Sequence, residues 1–157
     1  MKLFLDCDGV LADFDALASD ILGMAPREFE SIYGSKEFWK RLARFEDFYG
    51  QLPLMSDAMY LWESVKHLKP TILTGCPHGQ WAQPQKVRWA KKMFGEDVSI
   101  ITCRSRDKRL HMHEGLHNVI VDDWPEYITL WEEYGGTFIL HRTADESLKQ
   151  LQSIGML

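Results

Sequence analysis

The chain has 157 residues, is 45% hydrophobic and carries a formal net charge of −5. That length suits one compact domain with room for a small insertion, and that apolar share suits a packed core. The acidic balance argues against a nucleic-acid polymer as partner, which needs a basic face, and leaves a small phosphorylated ligand open.

The first apolar run, Lys2-Leu3-Phe4-Leu5, ends in Asp6-Cys7-Asp8-Gly9. Alternate residues of an extended chain point the same way. Asp6 and Asp8 therefore project together from a strand end, while Cys7 points oppositely, into the core. Gly9 lets the backbone turn sharply. Two close carboxylates repel, and are tolerated where a cation or a shared proton is wanted. Such a pair suits nucleophilic and acid–base chemistry.

Residues 16–69 break the strand pattern. Phe29, Tyr33, Phe38, Trp39, Phe45, Phe48 and Tyr49 fall in helical stretches punctuated by Gly34 and Gly50-Gln51-Leu52-Pro53. They predict a small helical cap inserted after the first strand and set over the strand ends. The aromatics read as a small helical core, with a nucleobase platform as the alternative. A helix from Asp57 to Leu68 carries Leu61, Val65 and Leu68 on one face.

Four more runs follow: Pro70 to Thr74, Val98 to Thr102, Asn118 to Asp122 and Thr137 to Leu140. Each is short, continuous and rich in β-branched residues, as in strands buried on both faces. Helical patterns separate them. Trp81 to Phe94 turns Val87, Ala90 and Phe94 to one side. Pro125 to Tyr134 starts on a proline suited to a first helical turn, and Ala144 to Ile154 closes the chain. The alternation predicts an α/β fold, a three-layer Rossmann-like parallel sheet. Residues 1–15 and 70–157 form its core and residues 16–69 its cap.

Ligands of open parallel sheets bind at the carboxyl ends of the strands. Asp6 and Asp8, Thr74-Gly75 and Asp122-Asp123 all fall there, with Lys86 and Lys108 in the connections. Each also has an ordinary explanation. Taken singly, the lysines read as surface residues, Thr74 as a strand end, and Asp122-Asp123 as acids near a helix N-terminus. His111-Met112-His113 lacks a third metal partner and reads as surface histidines. Three cysteines without repeated spacing predict reduced thiols. The apolar start is too short for a signal peptide, and no run is long enough to span a membrane. The expected location is the cytoplasm.

The run from Asp6 to Phe14 resembles the first motif of the haloacid-dehalogenase-like phosphatases, closest to their 5′(3′)-deoxyribonucleotidase branch. Ile72-Leu73-Thr74-Gly75 resembles the second motif, and Lys86 to Gly95 is similar to the helix that follows it. Ser105-Arg106-Asp107-Lys108 resembles the lysine-bearing third motif, and Val119 to Glu126 the fourth. The segment from Lys108 to Asp122 looks longer than its counterpart in that branch. The resemblance implies that Asp6 attacks phosphorus to form an aspartyl-phosphate. Asp8 then protonates the leaving oxygen and later activates water. It implies Mg²⁺ held by Asp6, the Asp8 main-chain carbonyl and a carboxylate of the Asp122-Asp123 pair. Asp123 is the inner-sphere candidate and Asp122 its support, an order the sequence alone leaves open. Thr74 and the Gly75 amide would hold phosphoryl oxygens. Lys108 and Lys86 would meet the phosphate, and which of them does so chiefly also stays open. Phe14, Phe38 and Trp39 would stack on a base.

The expected activity is Mg²⁺-dependent hydrolysis of a small phosphomonoester, with a 5′-deoxynucleotide as favoured substrate and a homodimer left open. Two competitors remain: a phosphatase of the same scaffold acting on a sugar phosphate or other metabolite, and a non-catalytic phospholigand-binding protein.

Overall fold

The five apolar runs become the five strands. In a computed structural model describing residues 1–157, β1 is Lys2–Leu5, β2 Thr71–Gly75, β3 Ser99–Cys103, β4 Asn118–Asp122 and β5 Thr137–Leu140. They form one sheet in the order β3-β2-β1-β4-β5, with every pairing parallel. The order reverses between β2 and β4 around the central β1. That reversal opens the crevice where α/β sheets bind ligands. Register is tight on the β4 side, where Leu5 faces Val121. Asp6 N–H extends the pairing by donating to Val121 O at 2.9 Å.

Strand residues alternate between two apolar layers, as the pleat requires. Leu3, Leu5, Ile72, Val119 and Val121 join the larger cluster. Phe4, Leu73 and Ile120 join the smaller one with Trp131. Burying each such side chain stabilises the fold by about 1.5–3 kcal/mol. Helices α4 (Ala58–Val65), α5 (Ala82–Phe94) and α7 (Ala144–Ser153) cover the first face through Leu61, Val65, Trp89, Leu148 and Leu151. Helix α6 (Ile128–Glu133) covers the second with Trp131. The three-layer α/β fold is therefore the one its patterning predicts.

The helices differ from expectation in detail. The Asp57–Leu68 pattern is α-helical only to Val65 and tightens to a 3₁₀ turn over Lys66–Leu68. The Pro125 pattern opens as a 3₁₀ turn and becomes α-helical from Ile128. In α5 the fully covered side chains are Ala82, Lys86, Trp89 and Ala90, whereas Val87 and Phe94 are half-buried. The buried stripe is displaced because Trp89 reaches inward, its Nε1–H donating to Leu52 O at 2.8 Å.

Between β1 and α4 lie α1 (Phe14–Leu22), α2 (Pro26–Tyr33) and α3 (Ser35–Arg44), which pack on one another. Phe14 meets Phe48 and Trp39 edge to face, and Phe38 packs against Phe29. The chain leaves and rejoins the sheet along one seam. Asp13 N–H donates to Pro53 O and Met55 N–H to Leu11 O, both at 2.8 Å. Ala12 and Leu54 form an antiparallel bridge between them.

Candidate active site

The loop after β1 is wound around one carbonyl. Cys7 O accepts from the N–H groups of Val10, Leu11 and Ala12, and Gly9 adopts a φ of +83°, a region costly for residues with a Cβ. The winding buries Cys7, as alternation predicts, and keeps Asp6 and Asp8 at the sheet edge. A Cβ on Gly9 would overlap the Asp123 carboxylate, so this glycine lets Asp123 lie against the loop.

Neither candidate lysine is at the surface, contrary to the reading of each taken singly. Lys86 is 1% exposed and Lys108 6%. Burial without partners is costly for a charge, and each has found acids distant in sequence. Lys108, on a 3₁₀ segment over Ser105–His111, donates to Asp6 Oδ1 and Asp122 Oδ2, both at 2.8 Å. Lys86, on α5, donates to Asp8 Oδ2 at 2.7 Å, Thr74 Oγ1 at 2.8 Å and Gly75 O at 2.7 Å. Its ammonium also stands 4.5 Å from the centre of the buried Tyr49 ring. Burial alone would lower both lysine pKa values. The facing carboxylates outweigh it and hold both above the usual range.

An ammonium has three donors. Lys86 has used all three, whereas Lys108 has used two and keeps one. Lys108 also lines the main cavity, and neither Lys86 nor Thr74 does. The structure thus joins Lys86, Thr74 and Asp8 in one cluster, and Lys108, Asp6 and Asp122 in another.

Asp122 is 1% exposed. Both its oxygens are engaged, Oδ2 by Lys108 and Oδ1 by Trp124 N–H at 2.9 Å. Asp123 has no lysine partner. Burial, then the charges of Asp6 and Asp122, push its carboxyl up to about 8. Asp8 is also raised, by burial first, with Asp6 adding and Lys86 opposing. Its Oδ1 is buried without a hydrogen-bond partner.

Asp6, Asp122 and Asp123 bring one carboxylate oxygen each within 4.8 Å of one another. An all-oxygen set with a single lysine among three acids leaves an anionic excess. This donor chemistry fits a hard divalent cation such as Mg²⁺.

These groups form the floor of a cavity of about 410 Å³, within the usual size of small-molecule sites, roughly 300–1,000 Å³. Gly75 lines it beside Ser105, whose hydroxyl occupies the space that a side chain on Gly75 would take. Phe14 on α1 and Phe38 and Trp39 on α3 also line it, although Phe38 is only 2% exposed. Sequence reading gave no role to Ser105, Trp124, Tyr127, Arg27 or Glu30, which also line it. Ser105 and Trp124 follow strand ends and could have been found by that rule. Arg27 and Glu30 sit on α2 with no local signal.

No protein-family model matches the sequence, and comparison with curated protein sequences gives no match. Comparison of structures does. The chain is similar to a hydrolase from Streptococcus pneumoniae TIGR4, with a TM-score of 0.60 at 13% identity, over 98% of this chain and 97% of that one. A hydrolase from Pseudomonas syringae aligns with a TM-score of 0.55 at 13% identity, over 98% and 99%. A candidate beta-phosphoglucomutase from Thermotoga maritima gives 0.52 at 15% identity, over 98% and 100%. What the chain shares with them is the fold, along nearly its whole length.

Proposed function

We propose that the protein is a Mg²⁺-dependent phosphatase of the haloacid-dehalogenase-like type, hydrolysing small phosphomonoesters, with a deoxynucleoside 5′-monophosphate as the favoured substrate. The observation that carries this reading is the approach of Asp6, Asp122 and Asp123 to within 4.8 Å across the β1–β4 edge. The hydrolase neighbours supply a scaffold consistent with it.

Asp6 is the nucleophile. One of its oxygens bonds to phosphorus as the bond to the leaving oxygen breaks, splitting hydrolysis into two steps. Asp8 holds the proton that the leaving oxygen takes. Burial raises its pKa, which makes the carboxyl a better proton carrier, and Lys86 holds it in position. The same carboxylate then takes a proton from the water that hydrolyses the aspartyl-phosphate. Lys108 turns its remaining donor to the phosphoryl group while holding Asp6 in place. Lys86 positions Asp8 and is itself fixed by Thr74 Oγ1 and Gly75 O. Asp6, Asp123 and the Asp8 main-chain carbonyl would hold Mg²⁺, with Asp122 in support. When bound, the ion supplies charge neutralisation at the phosphoryl oxygens.

A second reading keeps this chemistry and changes the leaving group. Phe38 is almost wholly covered and Phe14 is packed by Phe48, which favours a structural role for these rings and a smaller, non-nucleotide substrate.

The test is hydrolysis of p-nitrophenyl phosphate and a panel of deoxynucleotides, sugar phosphates and other phosphomonoesters, with Mg²⁺ and with chelator. Turnover should need Mg²⁺, and Asp6→Asn should lower kcat about 10⁴-fold or more with its circular dichroism unchanged. Hydrolysis that persists in Asp6→Asn would reject the mechanism. Equal rates across the panel would reject the nucleotide preference.

A further inference from the structure

The charged residues lining the cavity come from two sources, the strand ends and the helices after β1. At the chemical end, Lys108 stands among the acids, and a divalent cation would offset the remaining charge. The cap end, meaning the residues of α1 and α2 and the turn before them, contributes Asp13, Asp15 and Glu30, with Arg27 as its only cation in the lining. Two of these acids are fixed by the cap's own helices. Asp13 Oδ1 accepts from Ala16 N–H at the start of α1, and Glu30 Oε2 accepts from Ser35 Oγ at the start of α3. Asp13, Asp15 and Glu30 form no ion pair. The Arg27 guanidinium is laid on Trp124, 4.2 Å from the ring centre, and so bridges the cap to the loop after β4.

Three carboxylates against one guanidinium leave the cap end net negative. The same lining includes the apolar Phe14, Trp39 and Met55. A cleft with low-dielectric walls focuses the field of its charges on whatever enters it. A phosphomonoester bound with its phosphate at the chemical end must place its leaving group in that field.

We propose that the cap end selects the leaving group by charge. It takes phosphomonoesters whose leaving group is neutral or cationic and offers an aromatic or alkyl face to Phe14 and Trp39. It turns away those that carry a second phosphate or a carboxylate. Asp15 and Glu30 are the specificity-determining residues, and Arg27, held on Trp124, leaves them in excess. This selector rests on the phosphatase reading above and adds a substrate class to it.

Two matched pairs test it: deoxyadenosine 5′-monophosphate against the 3′,5′-bisphosphate, and phosphoethanolamine against phosphoglycolate. At low salt, kcat/KM should favour the first member of each pair by about tenfold or more. The preference should shrink as salt brings the Debye length to about 10 Å and below, a response that a purely structural role would not produce. Glu30→Gln and Asp15→Asn should each reduce the preference about threefold. Asp15 is exposed, so its variant serves even where Glu30→Gln disturbs the cap. Equal kcat/KM within both pairs, or a preference indifferent to salt and to both variants, overturns the selector and leaves the phosphatase reading standing. Absence of turnover on every phosphomonoester with Mg²⁺ overturns the phosphatase reading, and the selector with it.

Discussion

Lys86 and Asp8 meet at 2.7 Å although 78 positions separate them in the chain. The pair ties α5 to the loop after β1, and the same ammonium ties both to the end of β2 through Thr74 and Gly75. Asp8 is held by a residue that does not reach the cavity.

Replacing Lys86 by Met should therefore separate position from contact. Losing one partner of a buried pair costs about 3 kcal/mol, since the other charge is left behind. Urea unfolding should show that loss. In turnover assays kcat should fall with KM little changed. A raised KM with kcat intact would mean that Lys86 touches substrate instead.

Asp123 would link the proposed metal to stability. Its folded pKa is raised to about 8, while an unfolded aspartate titrates near 3.9. Between those values the folded state holds the proton that the unfolded state has released. The metal-free protein thus loses this group's contribution as pH rises from about 4 to about 8. Mg²⁺ should restore it, so the Mg²⁺-induced rise in Tm should be larger near pH 8.5 than near pH 6. Asp123→Asn should raise the metal-free Tm by about 2–4 °C, the equivalent of about 1 kcal/mol, and remove the response to Mg²⁺. Equal increments at both pH values would refute the argument.

Gly9→Ala should be costly twice over. A left-handed φ costs an alanine about 1–2 kcal/mol, and the new methyl would displace the Asp123 carboxylate. A displacement of about 1 Å is enough to lower kcat/KM about 10²-fold. Mg²⁺ titration alongside the assay should show weakened binding. Wild-type Mg²⁺ affinity in this variant would break the proposed link between the turn and the ion.

His141 sets an acid limit. It is 4% exposed, with Nδ1 2.7 Å from Ser147 Oγ. Burial lowers its pKa below the usual 6.5, against the opposing charges of Asp57, Asp6 and Glu146. The unfolded chain takes up the proton first, so stability falls as pH drops below about 6.5. Urea midpoints at about pH 7.5 and pH 5.5 should differ more for the wild type than for His141→Gln. Equal differences would remove His141 from the account.

The strands and the acids at their ends were legible because both depend on local pattern. A continuous β-branched run specifies a buried strand, and the residue after it falls at the ligand edge. The burial of Lys86 was not legible, because its cause lies in Asp8, Thr74 and Gly75, contributed by other elements. Local hydropathy favoured Val87 and Phe94 as the inward face of α5, and long-range pairing overrode it. Asp122 and Asp123 were found as a pair but could not be told apart. Lys108 and the Trp124 amide, which engage one and not the other, make the difference. Arg27 and Glu30 went unseen because nothing near them in the chain announces that α2 faces the strand ends.

The hydrogen-bonded seam at Leu11–Asp13 and Pro53–Met55 makes the three helices between them a cassette. Its two attachment points are fixed side by side, so a change in the length of the inserted piece need not pull the strands apart. Each doubling of such a loop costs only about 0.6 kcal/mol in closure entropy. A foreign helical module grafted at this junction would still have to refill the space of Phe48 and Tyr49, which belong to the same buried cluster as the strands, and of the two Tyr49 backs the Lys86 ammonium.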